Sequence, residues 1–129
     1  MRGRIPSVTI VAMPVSVLIV DDHAGFRESA RALLEAEGFT VVGDAADGPG
    51  AIAQAGLLAP DVVLLDIQLP GLDGFAVAER LAAGHAPPAV VLISSREAGA
   101  YGSRIATSPA RGFIPKRALS GTALTALVG

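Results

Sequence analysis

Apolar residues in this chain gather in short runs, and segments with helical spacing separate these runs. Short apolar runs bounded by turn residues are typical of strands buried in a parallel sheet. The second strand is more polar than the others, so we expect it at an edge of the sheet. The pattern predicts strands at residues 15–20, 40–44, 62–66, 89–94 and 111–114.

Helical spacing between these runs predicts helices at about residues 24–37, 49–58 and 75–83. Gly38 is positioned to end the first helix, and Ser120 to cap a last helix that runs to about residue 128. Residues 98–107 form a poor helix by propensity, since they include Gly99 and Gly102. We expect a short or mobile helix there.

Right-handed crossovers and short loops favour a doubly wound α/β fold. Five parallel strands predict the flavodoxin-like order 2-1-3-4-5, a three-layer sandwich in which the first and third strands are neighbours. We assign residues 15–129 to this domain and residues 1–14 to an N-terminal extension. Although Arg2 and Arg4 precede an apolar stretch, Pro6 and Pro14 interrupt it and no cleavage pattern follows, so we expect no signal peptide and no membrane span.

Composition narrows the function classes. The 129 residues are enough for one domain with a sizeable core. The formal charge of −2, with scattered basic residues, argues against direct nucleic-acid binding by this chain. Cysteine is absent, which excludes disulfides and thiolate metal sites and fits a cytoplasmic protein.

Four of the predicted strands end in polar residues of complementary chemistry. Asp21 and Asp22 follow the first strand, Asp66 the third, Ser94 ends the fourth and Lys116 follows the fifth. Ligands of such sheets bind outside the carboxyl ends of the strands. Three carboxylates suit Mg²⁺, or Mn²⁺ in its place, and a lysine with a hydroxyl suits a phosphoryl group.

This constellation favours nucleophilic attack by a carboxylate on phosphorus, giving an acyl phosphate. The competing interpretation is that Asp66 only caps the loop before Pro70. For a single aspartate that interpretation would prevail, but the other polar groups at the same edge argue against it. Our interpretation requires that the acidic side chains meet at one rim opposite Lys116, and that the Asp66 side chain is not sealed from solvent.

The motifs resemble the receiver domains of bacterial two-component response regulators, over about residues 15–128. The resemblance rests on residues 17–23 (VLIVDDH), 64–74 (LLDIQLPGLDG), 92–95 (LISS) and 112–116 (GFIPK). The opening and closing motifs look most like receivers that precede a LuxR-type helix-turn-helix domain.

The resemblance implies that Asp66 accepts a phosphoryl group from a sensor histidine kinase. It further implies that Asp22 ligates Mg²⁺ directly, that Asp21 does so directly or through water, and that the backbone carbonyl of Gln68 is a further ligand. Lys116 takes the place of the phosphate-binding lysine. The chain would then be a regulatory domain rather than an enzyme.

The resemblance also implies a switch. Ser94 occupies the place of the switch hydroxyl, and Phe113 that of the switch aromatic. Their movement would reshape the surface of the fourth helix, fifth strand and fifth helix, through which homodimers could form and an output, such as transcription, would be controlled. Two departures stand out: Arg117 follows Lys116 where many receivers have proline, and Phe113 lacks the hydroxyl of the commoner tyrosine.

Three alternatives remain. An aspartate-nucleophile phosphohydrolase usually has a second acid two residues after the nucleophile, and Gln68 stands there. A flavin- or nucleotide-binding module would need a glycine-rich loop after the first strand, where this chain has Asp21 and Asp22. A receiver that is never phosphorylated would act as a scaffold.

Overall fold

The computed structural model describes residues 14–129, in which five parallel strands form one sheet in the order β2-β1-β3-β4-β5. The predicted fold class and strand order are confirmed. The predicted extension lies almost wholly outside the described residues and stays a prediction. The strands are β1 (Ser16–Val20), β2 (Thr40–Ala45), β3 (Val62–Asp66), β4 (Ala89–Ser94) and β5 (Gly112–Pro115).

Helices connect the strands, and three of them begin after a residue whose side chain caps the helix, including the predicted cap Ser120. Asp47, Asp73 and Ser120 each accept a hydrogen bond from a backbone N–H three residues later. The helices are α1 (Ala24–Ala36), α2 (Gly48–Leu58), α3 (Gly74–Ala82), α4 (Arg104–Thr107) and α5 (Gly121–Val128).

β3 is the centre of the sheet, and all five of its residues are buried. Its side chains point alternately into two apolar clusters, so both faces must be covered. Leu64 packs in the cluster covered by α1 and α5, while Val63 and Leu65 pack in the cluster covered by α2, α3 and residues 98–107. This explains why the β3 sequence is continuously apolar up to Asp66.

Residues 96–109 carry little helix, as their glycines predict. A 3-10 turn at Ala98–Tyr101 leads to Gly102, whose φ of 58° interrupts the helical path, and α4 has only four residues. Residues 95–107 include no buried residue. The short helix is confirmed, and it is a single turn.

Within residues 14–129, none of the helices combines the length and the apolar character that crossing a bilayer would require.

Candidate functional site

β1 and β3 bring two aspartates to the carboxyl edge of the sheet. The two strands pair with Val20 opposite Leu65, so Asp21 and Asp66 follow at the same level. The loop after β3 is held close by Gly74, where an added Cβ would lie 2.4 Å from the Asp66 carbonyl oxygen. Only glycine fits there, which explains why α3 can begin directly against the aspartate loop.

Lys116 joins the two aspartates. Its Nζ lies 2.6 Å from Asp21 Oδ2 and 3.3 Å from Asp66 Oδ2. The Lys116 ammonium also lies over the ring of Phe26 in α1, with Nζ 4.7 Å from the ring centroid. The arginine that replaces the usual proline after this lysine therefore does not prevent the predicted convergence.

Asp22 and His23 form the outer part of the site. The Asp22 side chain is 35% exposed, and His23 Nδ1 lies 3.1 Å from Oδ1 of both Asp21 and Asp22. The His23 backbone N–H also donates to Asp21 Oδ1 at 2.8 Å. His23 precedes α1 as its N-terminal flanking residue, so its ring stands at the rim of the site.

The expectation that Asp66 is open to solvent is wrong for this conformation, because its side chain is only 2% exposed. Protein donors occupy both oxygens: the Gln68 N–H donates to Oδ1 at 3.0 Å, and Lys116 Nζ approaches Oδ2. Lys116 is itself only 16% exposed. The carboxylate is thus closed off by a long side chain at the sheet edge as well as by the strands beneath it.

Burial and neighbouring charges act in opposite directions on the pKa values of Asp66 and Lys116. Burial raises the pKa of Asp66, and the neighbouring Asp21 charge adds to this, while the Gln68 N–H and Lys116 act in the other direction. Burial alone would lower the pKa of Lys116, but the hydrogen bond and charge of Asp21, together with the Asp66 charge, raise it above its usual value. The lysine is therefore held charged beside a carboxylate that the site only partly stabilises.

Ser94 lies fully buried at the end of β4, beside the acidic cluster. Its Oγ accepts the Arg96 N–H at 3.0 Å and lies 3.5 Å from Oε1 of Gln68. Gln68 thus contacts both Asp66, through its N–H, and Ser94, through its side chain. Its role as a carbonyl ligand stays a prediction.

Tyr101 is the site residue that the sequence analysis missed. Its hydroxyl oxygen lies 2.6 Å from Ser94 Oγ. Its ring packs edge-on against Phe75, with centroids 5.8 Å apart, and tilted against Phe113 at 6.3 Å. The sequence offered only one signal, the position of a lone tyrosine seven residues after Ser94 in a segment of poor helical propensity.

The acidic residues fit a hard divalent cation. Asp21, Asp22, His23 and Asp66 each offer a ligand atom, and these atoms all lie within 4.8 Å of one another. Three of the four are carboxylates, the donors that Mg²⁺ and Mn²⁺ prefer. Among residues 14–129, Lys116 is the one lysine or arginine whose side chain forms an ion pair with these carboxylates, so a divalent cation would relieve the repulsion that remains between them.

Comparisons with known proteins identify the family to which the chain is similar. A model of the response regulator receiver domain family matches residues 17–128. Protein-glutamate methylesterase/protein-glutamine glutaminase 5 of Myxococcus xanthus is 48% identical over 86 residues, which are 66% of this chain and 25% of that protein. BvgA of Bordetella pertussis, whose name describes a transcription regulator of virulence factors, is 37% identical over 100 residues, 78% of this chain and 48% of BvgA.

Solved structures match as well. The signal receiver domain of NarL from Mycobacterium tuberculosis has a TM-score of 0.79 and 34% identity, and the match covers 92% of this chain and 99% of that one. A LuxR-family response regulator from Aurantimonas has a TM-score of 0.75 and 27% identity, covering 81% of this chain and 75% of that one. The chain spans between a quarter and a half of the curated relatives named above.

Proposed function

This chain belongs to the response regulator receiver domain family, and we propose that it is a phosphorylation-dependent switch whose phosphoacceptor is Asp66. The observation that carries the proposal is the convergence of Lys116 on Asp21 and Asp66, with Asp22 and Ser94 at the same edge. A buried carboxylate pair with one ammonium is costly to maintain as a purely structural feature. Its groups match what phosphoryl transfer to an aspartate uses, a carboxylate nucleophile with positive charge beside it.

In the proposed reaction one oxygen of ionised Asp66 forms a bond to phosphorus. The phosphorus–nitrogen bond of a phosphohistidine on a sensor histidine kinase breaks, the histidine keeps that electron pair, and an acyl phosphate results. Lys116 neutralises charge on the phosphoryl oxygens, and the Ser94 hydroxyl donates a hydrogen bond to one of them. Asp21, Asp22, Asp66 and the Gln68 carbonyl would hold Mg²⁺, which supplies further positive charge to the phosphoryl group.

Because Asp66 is closed off in this conformation, contrary to the requirement drawn from the sequence, the proposal needs an opening step. Lys116 Nζ donates to Asp66 Oδ2, and the Gln68 N–H donates to Oδ1. A phosphodonor therefore reaches the carboxylate only after Lys116 moves. The lysine is long and remains bound to Asp21 at the shorter distance. It can therefore leave Asp66 while keeping its ion pair with Asp21.

We extend the proposal to the process that the phosphorylated chain controls. The relatives include transcription regulators, so we propose that phosphorylation controls transcription through a domain or partner that reads the surface of α4, β5 and α5. Dimerisation through that surface, a cytoplasmic location and pairing with a histidine kinase belong to the same proposal. The phosphohydrolase alternative gains no support, because an amide at Gln68 stands where a second acid would be needed. The scaffold alternative would leave the intact acidic cluster without a role.

Incubation with Mg²⁺ and acetyl phosphate tests the proposal, with the phosphoprotein resolved on a phosphate-affinity gel. The wild-type chain should gain one labile phosphoryl group and Asp66→Asn none. Asp44→Asn is the matched control, since Asp44 is an exposed aspartate near the end of β2 that forms, among residues 14–129, a single ion pair, with Arg27 at 3.5 Å. Equal labelling of all three proteins, or labelling of none, would contradict the proposal.

A further inference from the structure

The Ser94 hydroxyl is not free to turn toward Asp66 in this structure. It accepts one hydrogen bond from the Arg96 N–H and shares a second, at 2.6 Å, with the hydroxyl of Tyr101. A serine hydroxyl has one hydrogen and two lone pairs. Gln68 Oε1 lies further away, at 3.5 Å, so the two close partners of the hydroxyl are both on the side of residues 96–101.

The Tyr101 ring is fixed independently of that hydrogen bond. It stands between Phe75 at the start of α3 and Phe113 in β5. Arg104, one turn further on, lies over the Phe75 ring at 4.2 Å and 3.6 Å from Asp73 Oδ2. Tyr101 is thus the half-buried anchor of a segment, residues 97–107, that otherwise has almost no buried side chain.

A phosphoryl oxygen only accepts hydrogen bonds, so Ser94 must donate its one hydrogen to it. Turning Oγ to the phosphoryl group would break its hydrogen bond with Tyr101, whose ring is held in place by its aromatic neighbours. Phe113 cannot form this hydrogen bond with Ser94 in place of Tyr101, because phenylalanine has no hydroxyl. Tyr101 carries the only phenol hydroxyl in the chain.

We propose that Tyr101 is a positioning residue that holds the Ser94 hydroxyl away from Asp66 in the resting state, and that losing this hydrogen bond releases residues 97–107. The inference rests on the proposed phosphorylation of Asp66. Tyr101 opposes the phosphorylated arrangement, whereas Ser94 is needed for it. The segment that changes is the one whose remaining contacts are mostly at the surface.

Beryllofluoride with Mg²⁺, a stable mimic of the phosphoryl group, provides the test, with its affinity measured by fluorine NMR. Tyr101→Phe keeps the ring and removes only the hydroxyl. Since one neutral hydrogen bond no longer has to be broken, this variant should bind beryllofluoride about 3- to 10-fold more tightly than wild type. Thr107→Val is the matched control, because the Thr107 hydroxyl bonds only carbonyls of its own turn. Its affinity should equal that of wild type.

A double-mutant cycle separates positioning from a general structural effect. In a Ser94→Ala background the Tyr101→Phe change should have no further effect on beryllofluoride affinity, because there is no Ser94 hydroxyl left to hold. Unchanged or weaker binding by Tyr101→Phe overturns the inference. The same holds for a tighter affinity that persists without Ser94.

The chain also carries its own reporter, since it has one tyrosine and no tryptophan. Adding beryllofluoride and Mg²⁺ should change tyrosine fluorescence in wild type and leave it unchanged in Asp66→Asn. If beryllofluoride binds but the fluorescence stays constant, the Tyr101 inference fails while the proposed function stands. If fluorine NMR shows no bound beryllofluoride in wild type, the proposed function itself fails.

Discussion

The two sides of the Asp66 site are built differently. On one side, Asp21 and Asp66 follow the buried strands β1 and β3, and Lys116 joins them by ion pairs that are almost inaccessible to solvent. On the other side, Ser94 faces residues 97–107, which contribute only Tyr101 and Ile105 as partly buried residues. The first side depends on the sheet core, and the second on a few side-chain contacts.

This difference assigns the chemistry and the response to separate parts of the fold. Groups that must meet a phosphoryl group need fixed positions, which two central strands provide. A segment that must change on phosphorylation needs a low cost of local rearrangement, which little buried apolar surface provides. Ser94 and Tyr101 are the point at which the two parts meet.

The largest effect is expected from Lys116→Met, on the side of the site that Asp21, Asp66 and Lys116 form. It leaves the fully buried Asp21 and the nearly buried Asp66 without their shared cation, and uncompensated buried charge costs about 3–5 kcal/mol. Urea unfolding at neutral pH without divalent ions should show this loss. Lys116→Arg, which keeps the charge, should lose much less. Similar stability of Lys116→Met and wild type would mean that the core, and not the ion pairs, holds this side together.

The cation dependence should be nearly as large. At about 100 times its Kd, a ligand that binds only the folded state adds about 2.7 kcal/mol to the free energy of unfolding. Thermal unfolding of wild type should therefore shift upward with Mg²⁺. Asp22→Ala, which removes the most exposed carboxylate of the cluster, should abolish the shift. A shift that survives in Asp22→Ala would place the cation elsewhere.

A smaller gain in stability is expected from Asp66→Asn in the absence of Mg²⁺. Because burial raises the pKa of Asp66, the folded state favours its neutral form, and the stability from this group is lost as pH rises through the raised pKa. The variant should be more stable than wild type at neutral pH, and the difference should disappear on acidification below the usual aspartate pKa. Unfolding curves across this pH range would measure it. A less stable variant at neutral pH would mean that Lys116 outweighs burial.

The smallest effect is expected from Arg104→Ala, on the side of the site that residues 97–107 form. Its partner Asp73 is 44% exposed and Arg104 itself 60% exposed, so the loss of global stability should stay within about 1 kcal/mol. Amide hydrogen exchange should nevertheless become faster at residues 98–107 and stay unchanged in β1 and β3. Faster exchange in the strands as well would remove the distinction between the two sides.

The sequence pattern predicted the convergence on the strand side of the site well. Strand periodicity and strand order place residues at a common edge of the sheet without any knowledge of side-chain conformations. Asp21, Asp66 and Lys116 converge for that reason. Two features were beyond such reasoning. The closure of Asp66 depends on where a long lysine side chain rests, and the Ser94–Tyr101 contact depends on the path of an irregular segment. Periodicity carries no information on either.

Reductive trapping with borohydride tests the central claim most directly. An acyl phosphate on aspartate is reduced to homoserine, and peptide mass spectrometry locates the modified residue. After treatment with acetyl phosphate and Mg²⁺, the account predicts homoserine at position 66 and at no other aspartate. Homoserine at Asp21 or Asp22 instead, or none in a protein that the phosphate-affinity gel shows to be phosphorylated, would contradict it.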